Sequence, residues 1–200
     1  GGRDTAECII YFMFPAIFLY RDGVIIENRS NYVRRWEDVA IFGQALTALA
    51  GIHSSAYRIV MVTNQSAVGR GIISLETVGE INERLVRIIE QTGGRIGGVY
   101  VCPHAPGDRC ECRKPKPGLL LQAAEAHDLD LGRSILIGDT LSDVMAGQAA
   151  GVGQTVLVRT GLGAGQEFST KAKDLKPFLI YDTLEEALAE LVRDSSLRSE

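Results

Sequence analysis

The stretch Ala16-Ile17-Phe18-Leu19-Tyr20-Arg21-Asp22-Gly23-Val24 decides how the rest of the chain is read. Apolar residues rich in β-formers run into a charged pair and a glycine, the pattern of a buried strand ending at a functional turn. In an α/β sheet, ligands bind at the carboxyl ends of the strands, so Asp22 is placed for chemistry rather than packing. The pattern recurs downstream. Arg58 to Asn64 and Ser134 to Asp139 are apolar runs ending in polar residues, and Val99-Tyr100-Val101, Gln154 to Val158 and Phe178-Leu179-Ile180 read as further strands.

Between these runs the apolar spacing predicts helices. One covers 43–50 and is closed by Gly51. A second is N-capped by Ser74, with Thr77 at the third position, and ends near Gly93-Gly94. Others follow Pro117 or Gly118, Ser142 and Leu184, the last ending at Arg193. Residues 25–35 read as a polar loop over the first strand end. Glycine-rich 161–173 reads as a mobile loop. Strands alternating with helices predict an α/β, doubly wound, Rossmann-like parallel sheet covered on both faces. Right-handed crossovers then bring the strand ends to one edge. Tyr20, Asp22, Thr63 and Asp139 should meet there in one crevice.

The expected organisation is an extension over residues 1–14, a single domain over 15–193 and a frayed tail over 194–200. A net charge of -4 offers no electrostatic case for nucleic acid or an anionic membrane as partner. The apolar run from Cys8 to Leu19 is too short to span a bilayer and lacks the flanks of a signal peptide. Cys102, Cys110 and Cys112 crowd one loop with His104. Three thiolates and an imidazole match a closed tetrahedral site for structural zinc, whose role here would be to pin a long loop. A metal site rather than a disulfide framework makes the cytoplasm the expected compartment. Cys8 is far away in sequence and needs no function. His53 and His127 have no nucleophile paired with them.

Phosphoryl transfer through a carboxylate needs a nucleophile, an acid/base, a cation and usually magnesium. The stretch from Ala16 to Val24 resembles the first signature of the haloacid dehalogenase superfamily, a hydrophobic strand followed by Asp-x-Asp-Gly. That resemblance implies that Asp22 is the acid/base and, through its main-chain carbonyl, a magnesium ligand. Thr63-Asn64 resembles the second signature, which holds phosphoryl oxygens through a hydroxyl and a backbone amide. Lys114 is the choice for the third-signature cation, with Lys116 as the alternative. Gly138-Asp139-Thr140-Leu141-Ser142-Asp143 resembles the fourth, implying that Asp139 holds magnesium and that Asp143 orients the site. With Gly69-Arg70-Gly71, Cys102-Pro103-His104 and the run Cys110 to Gly118 added, the resemblance narrows to the heptose bisphosphate phosphatase branch, and histidinol-phosphate phosphatases are similar in the same motifs. It runs from about Pro15 to Val192. It implies a minimal cap, a small phosphorylated sugar or alcohol as substrate, and a contact from Arg113 to a substrate phosphate; the expected state is a monomer.

Two positions depart from the pattern. Thr140 stands where the heptose phosphatases carry lysine, and Tyr20 stands where the superfamily carries its nucleophilic aspartate. A phenol ionises near pH 10, against about 3.9 for aspartate, so Tyr20 is neutral at pH 7 and a poor magnesium ligand. Three readings follow. The chain is a phosphomonoester hydrolase of this family with an altered nucleophile, a catalytically silent relative that binds a sugar phosphate, or a zinc-stabilised interaction domain. Retention of Asp22, Thr63, Lys114 and Asp139 favours the first two.

Overall fold

The computed structural model describes residues 13–175 and 177–197. Cys8 and residues 1–12 of the expected extension lie outside the described residues, as do residues 198–200 of the expected tail. Strands β1 (Phe14–Tyr20), β2 (Arg58–Asn64), β3 (Gly98–Cys102), β4 (Leu129–Gly138), β5 (Gln154–Val158) and β6 (Leu179–Tyr181) form one parallel sheet in the order β3-β2-β1-β4-β5-β6. β1 takes the centre because Ala16, Ile17, Phe18 and Leu19 are all fully buried. A strand apolar on both faces is stable only with cover on both. The chain steps outward from β1 through β2 to β3 and then returns to β4 on the other side of β1. The order thus reverses between β1 and β4, which opens a crevice at their carboxyl ends.

The helices are α1 (Gly43–Gly51), α2 (Ser66–Gly69), α3 (Leu75–Gln91), α4 (Gly118–Ala126), α5 (Leu141–Ala150), α6 (Gly163–Gln166), α7 (Thr170–Leu175) and α8 (Leu184–Leu197), and α1 packs on α8. α3 buries Val78, Ile81, Leu85 and Ile89 along one stripe, and the Thr77 amide donates to Ser74 Oγ at 3.0 Å, the expected cap.

Besides the short α2, which was not expected, the elements differ from expectation at four places. The 161–173 stretch is not a bare loop: it contains α6 and most of α7. It is tied down by the Leu141 amide donating to Gln166 Oε1 at 2.7 Å, by an Arg159–Glu167 ion pair, and by burial of Ala172 beside Leu141, Val144 and Leu157. β4 starts at Leu129 rather than Ser134, since Leu129 and Asp130 pair with Phe14 and Pro15. At the register shift that follows, the Ala16 amide donates to Ser134 Oγ at 2.8 Å. The segment after Gly23 is not purely a polar cover, because Ile25 and Ile26 are fully buried and Ile26 bridges Asp22 and Ile41. α8 continues past Arg193 to Leu197.

Candidate active site

The strand ends meet as the alternation of sequence implied. Tyr20, Asp22, Thr63, Asn64, Lys114 and Asp139 line one crevice of about 280 Å³, together with Asn28, Arg29, Tyr32, Gln65, Thr140 and Leu162. Two expected residues are not brought in. Arg113 donates from Nη1 to the His104 carbonyl at 3.3 Å, and Lys116 pairs with Glu111 at an exposed rim. Neither appears in the lining.

Asp22 is held from all sides. Arg21 Nε and Nη2 donate to its two oxygens at 3.1 Å each, while Thr63 Oγ1 and Gln65 Nε2 both donate to Oδ2 at 3.2 Å. Arg21 is 1% exposed, and its Nη1 donates to Asn82 Oδ1 on α3 at 2.9 Å. A guanidinium buried this far is tolerated only when paired and hydrogen-bonded, so Arg21 and Asp22 fix each other. Gln65 Nε2 also donates to Thr63 Oγ1 at 2.7 Å. Both polar atoms of the Asn64 side chain are buried without a hydrogen-bond partner in the chain. Buried amides are normally satisfied, so this one suits a polar ligand.

Asp139 sits opposite. Its Oδ2 accepts from Asn28 Nδ2 at 2.7 Å and from the Leu162 amide at 3.0 Å. Burial, and then the neighbouring Asp143 carboxylate, raise it to about 6. Gly23 and Gly161 adopt left-handed φ of 81° and 61° beside it, and a Cβ on either would fall 2.0 or 2.3 Å from Asp139 Oδ2. The cradle round this carboxylate can only be made from glycine. A hard oxygen donor in such a cradle suits a magnesium ion, and Asp139 with the Asp22 main-chain carbonyl are the residues that could hold it.

Asp143, at the start of α5, accepts the amides of Asp139 and Thr140 on Oδ2 at 3.1 and 2.9 Å, completing a capping box. Its other oxygen pairs with Lys114 Nζ, which also donates to Thr140 Oγ1 at 3.3 Å. Asp143 is therefore a support for Lys114. Tyr20 is 3% exposed, and burial, Asp143 and Cys102 keep its phenol well above its ordinary pKa. The phenol stays protonated throughout the neutral range and supplies neither carboxylate nor phenolate.

The cysteine loop forms a second cluster. The ligand atoms of Cys102, His104, Cys110 and Cys112 all lie within 4.8 Å of one another. Separations such as 3.2 Å from His104 Nδ1 to Cys112 Sγ and 3.9 Å between the sulfurs of Cys102 and Cys110 approximate the edges of a tetrahedron with bonds of about 2.3 Å. Burial and the other two thiols push Cys112 up to about 12, a cost that a bound cation would reverse. These four residues could hold a metal, and their donor chemistry fits zinc. The loop reaches the crevice through main-chain bonds, from the Gln65 amide to the Cys102 carbonyl at 2.8 Å and from the Gly69 amide to the Pro103 carbonyl at 2.7 Å.

Sequence reading missed Arg21, Asn28, Arg29, Tyr32, Gln65 and Leu162. Gln65 had a signal, since residues two apart at a strand end share a face and Thr63 was already singled out. Asn28 and Leu162 lie in irregular segments where no period marks a face.

The parallel sheet, its switch-point crevice and the carboxylates and lysine at its strand ends define a phosphatase of the haloacid dehalogenase (HAD) type, a class of phosphoric monoester hydrolases. The HAD-hydrolase-like family profile matches residues 111–187. The chain is 38% identical over 154 residues to the D-glycero-beta-D-manno-heptose-1,7-bisphosphate 7-phosphatase of Vibrio cholerae, covering 74% of this chain and 82% of that one. The enzyme of the same name from Pseudomonas putida is 34% identical over 176 residues, covering 88% and 98%. The crystal structure of D,D-heptose 1,7-bisphosphate phosphatase from B. bronchiseptica, complexed with magnesium and phosphate, superposes with a TM-score of 0.82 at 31% identity, covering 90% of this chain and 99% of that one. The chain belongs to the heptose bisphosphate phosphatase family of HAD-like hydrolases.

Proposed function

We propose that the crevice takes a small phosphorylated sugar of the heptose 1,7-bisphosphate type, and that this chain is a phosphomonoester hydrolase slowed by Tyr20. The observation that carries the reading is the convergence of Asp22, Thr63, Asn64, Lys114 and Asp139 from separate strand ends and loops on one crevice. Thr63 and Asn64 hold phosphoryl oxygens, and Lys114, steadied by Asp143, supplies positive charge to them. Asp22, aimed by Arg21 and Gln65, moves the proton to and from the leaving oxygen. Bound magnesium would neutralise phosphoryl charge, held by Asp139 and the Asp22 carbonyl with one carboxylate fewer than the family provides. Arg113 and Lys116 take no part in this reading. Residues 15–193 act as one unit, pinned by zinc at Cys102, His104, Cys110 and Cys112. We also assign a monomer, with the central strand β1 covered on both faces within one chain. Among the described residues no helix is long and apolar enough to cross a membrane. The cytoplasm, which keeps ligating thiols reduced, is the compartment that suits the cysteine loop.

Loss of a covalent nucleophile costs several orders of magnitude in rate. The test is magnesium-dependent phosphate release across a sugar-phosphate panel, run on this chain and on Tyr20→Asp side by side. Activity confined to the Asp variant, greatest on the heptose bisphosphate, is the expected result. Silence of both proteins, with both folded, would sink the reading.

A further inference from the structure

Resting on the phosphatase reading above, we infer that Asn82 is a positioning residue for the reaction: from the middle of α3 it sets the buried guanidinium of Arg21, and through it the aim of the Asp22 carboxylate. Asn82 is 3% exposed, on the stripe of α3 that otherwise buries Val78, Ile81, Leu85 and Ile89. Helix packing alone calls for an apolar side chain at that position. The amide also carries a cost, because its Nδ2 is buried with no hydrogen-bond partner. A buried polar atom without a partner calls for a reason, and here it lies in the other half of the same amide.

That half is Oδ1, which accepts from Arg21 Nη1 at 2.9 Å across 61 positions of sequence. A guanidinium only donates, so the oxygen of the amide must be the atom that faces it. Arg21 commits the rest of its fork to Asp22, Nε to Oδ2 and Nη2 to Oδ1, each at 3.1 Å. Among the described residues, Arg21 is the one donor to Oδ1, whereas Oδ2 also accepts from Thr63 and Gln65. The plane of the carboxylate therefore follows the plane of the guanidinium, and Asn82 holds the far edge of that plane. It does so without charge. A carboxylate in its place would compete with Asp22 for Arg21, and an apolar residue would leave Nη1 buried and unpaired. Neither Arg21 nor Asn82 lines the crevice, so their effect reaches a substrate only through Asp22.

The test takes Tyr20→Asp as the active parent and adds Asn82→Leu or Asn82→Asp to it. Two esters serve as probes: heptose 1,7-bisphosphate, whose alkoxide leaving group needs a proton, and p-nitrophenyl phosphate, whose phenolate leaves without one. On each, kcat/KM reads the step that breaks the ester bond. Asn82→Leu should lower kcat/KM about tenfold or more on the sugar phosphate, where a misaimed acid loses most of its effect, and less than about twofold on the aryl phosphate. Asn82→Asp keeps an acceptor of the same shape and should fall between Asn82→Leu and the parent on the sugar phosphate. In the chain that retains Tyr20, calorimetry in magnesium should show Asn82→Leu changing affinity for the bisphosphate less than about twofold, because Thr63, Asn64 and Lys114 are untouched. Equal losses on the two esters, no loss on either, a lower value for Asn82→Asp than for Asn82→Leu, or a matching loss of affinity would overturn the role of Asn82 and leave the phosphatase site standing. A Tyr20→Asp parent that turns over neither ester would overturn the phosphatase reading, and this inference with it.

Discussion

The ammonium of Lys114 lies 4.5 Å from the centroid of the Tyr20 ring while it pairs with the fully buried carboxylate of Asp143. With the Thr140 hydroxyl at 3.3 Å, one cation thus serves three neighbours, and the aromatic ring fills ground beside it that an aspartate would leave open. The contact is favourable in itself, on the order of 1 kcal/mol for a partly buried cation–π pair.

Tyr20→Asp should therefore gain activity and lose stability together. Truncating a buried aromatic side chain leaves a cavity, and the variant should unfold with about 3 kcal/mol less free energy in urea. Phosphate release should rise at least about a hundredfold in the same preparation. A variant that gained activity with unchanged stability would mean that the ring packs more loosely than its 3% exposure implies.

The two lysines of the cysteine loop should part company. Lys114→Met strands the buried Asp143 carboxylate, which has no other cation paired to it among the described ion pairs. Breaking one side of such a pair costs about 3 kcal/mol. Lys116→Met removes only an exposed partner of Glu111 and should stay within about 0.5 kcal/mol of the parent. Comparable losses in the two variants would contradict the assignment of Asp143 as a support for Lys114.

Asp139 gives a pH signature. Its folded value of about 6 lies above the ordinary 3.8, so between those limits the folded chain binds more protons than the unfolded one. Unfolding free energy must then fall as pH rises from about 4 to about 6, and the penalty persists above that. In magnesium-free buffer, Asp139→Asn should be the more stable protein at pH 7, by about 2 kcal/mol, and should match the parent near pH 4. Parallel pH profiles for the two proteins would refute this.

The cysteine cluster should hold one zinc per chain, countable by release into a colorimetric chelator. Cys112→Ser should lose most of that zinc and melt at a lower temperature. It should also weaken sugar-phosphate binding, because the loop carries Lys114 and abuts Gln65 through main-chain bonds. Full zinc content in the variant would remove Cys112 from the ligand set.

Much of this could be read from the chain before any coordinates. Apolar runs with polar last residues located β1, β2 and β4, because burial on both faces leaves a continuous hydrophobic signature. Thr63 and Asp139 were legible for the same reason, each sitting where such a run ends, whereas Lys114 was legible through the resemblance to the third signature. The start of β4 was not, since Asp130, Gly132 and Arg133 interrupt the pattern; Leu129 and Asp130 are held by pairing with β1, and the Arg133 amide donates to Asp130 Oδ1. Arg21 was passed over because a charge beside an aspartate reads as solvated, and only the position of Asn82 on α3 shows where it goes. α6 and α7 were hidden by short length and glycine, and they are held by partners elsewhere in the chain, Leu141 against Gln166 and Leu141, Val144 and Leu157 against Ala172.

The cysteine loop rests on the strand-end floor of the crevice through backbone atoms at Gln65 and Gly69. Backbone contacts are blind to side-chain identity, so the loop can exchange its outward residues over generations while its attachment stays fixed. The floor has no such freedom: Gly23 and Gly161 abut Asp139, and almost any mutation at either would collide with it. Selection can thus retune what this crevice admits far more readily than how it grips a phosphate, and new substrate preferences should arise by drift at the rim.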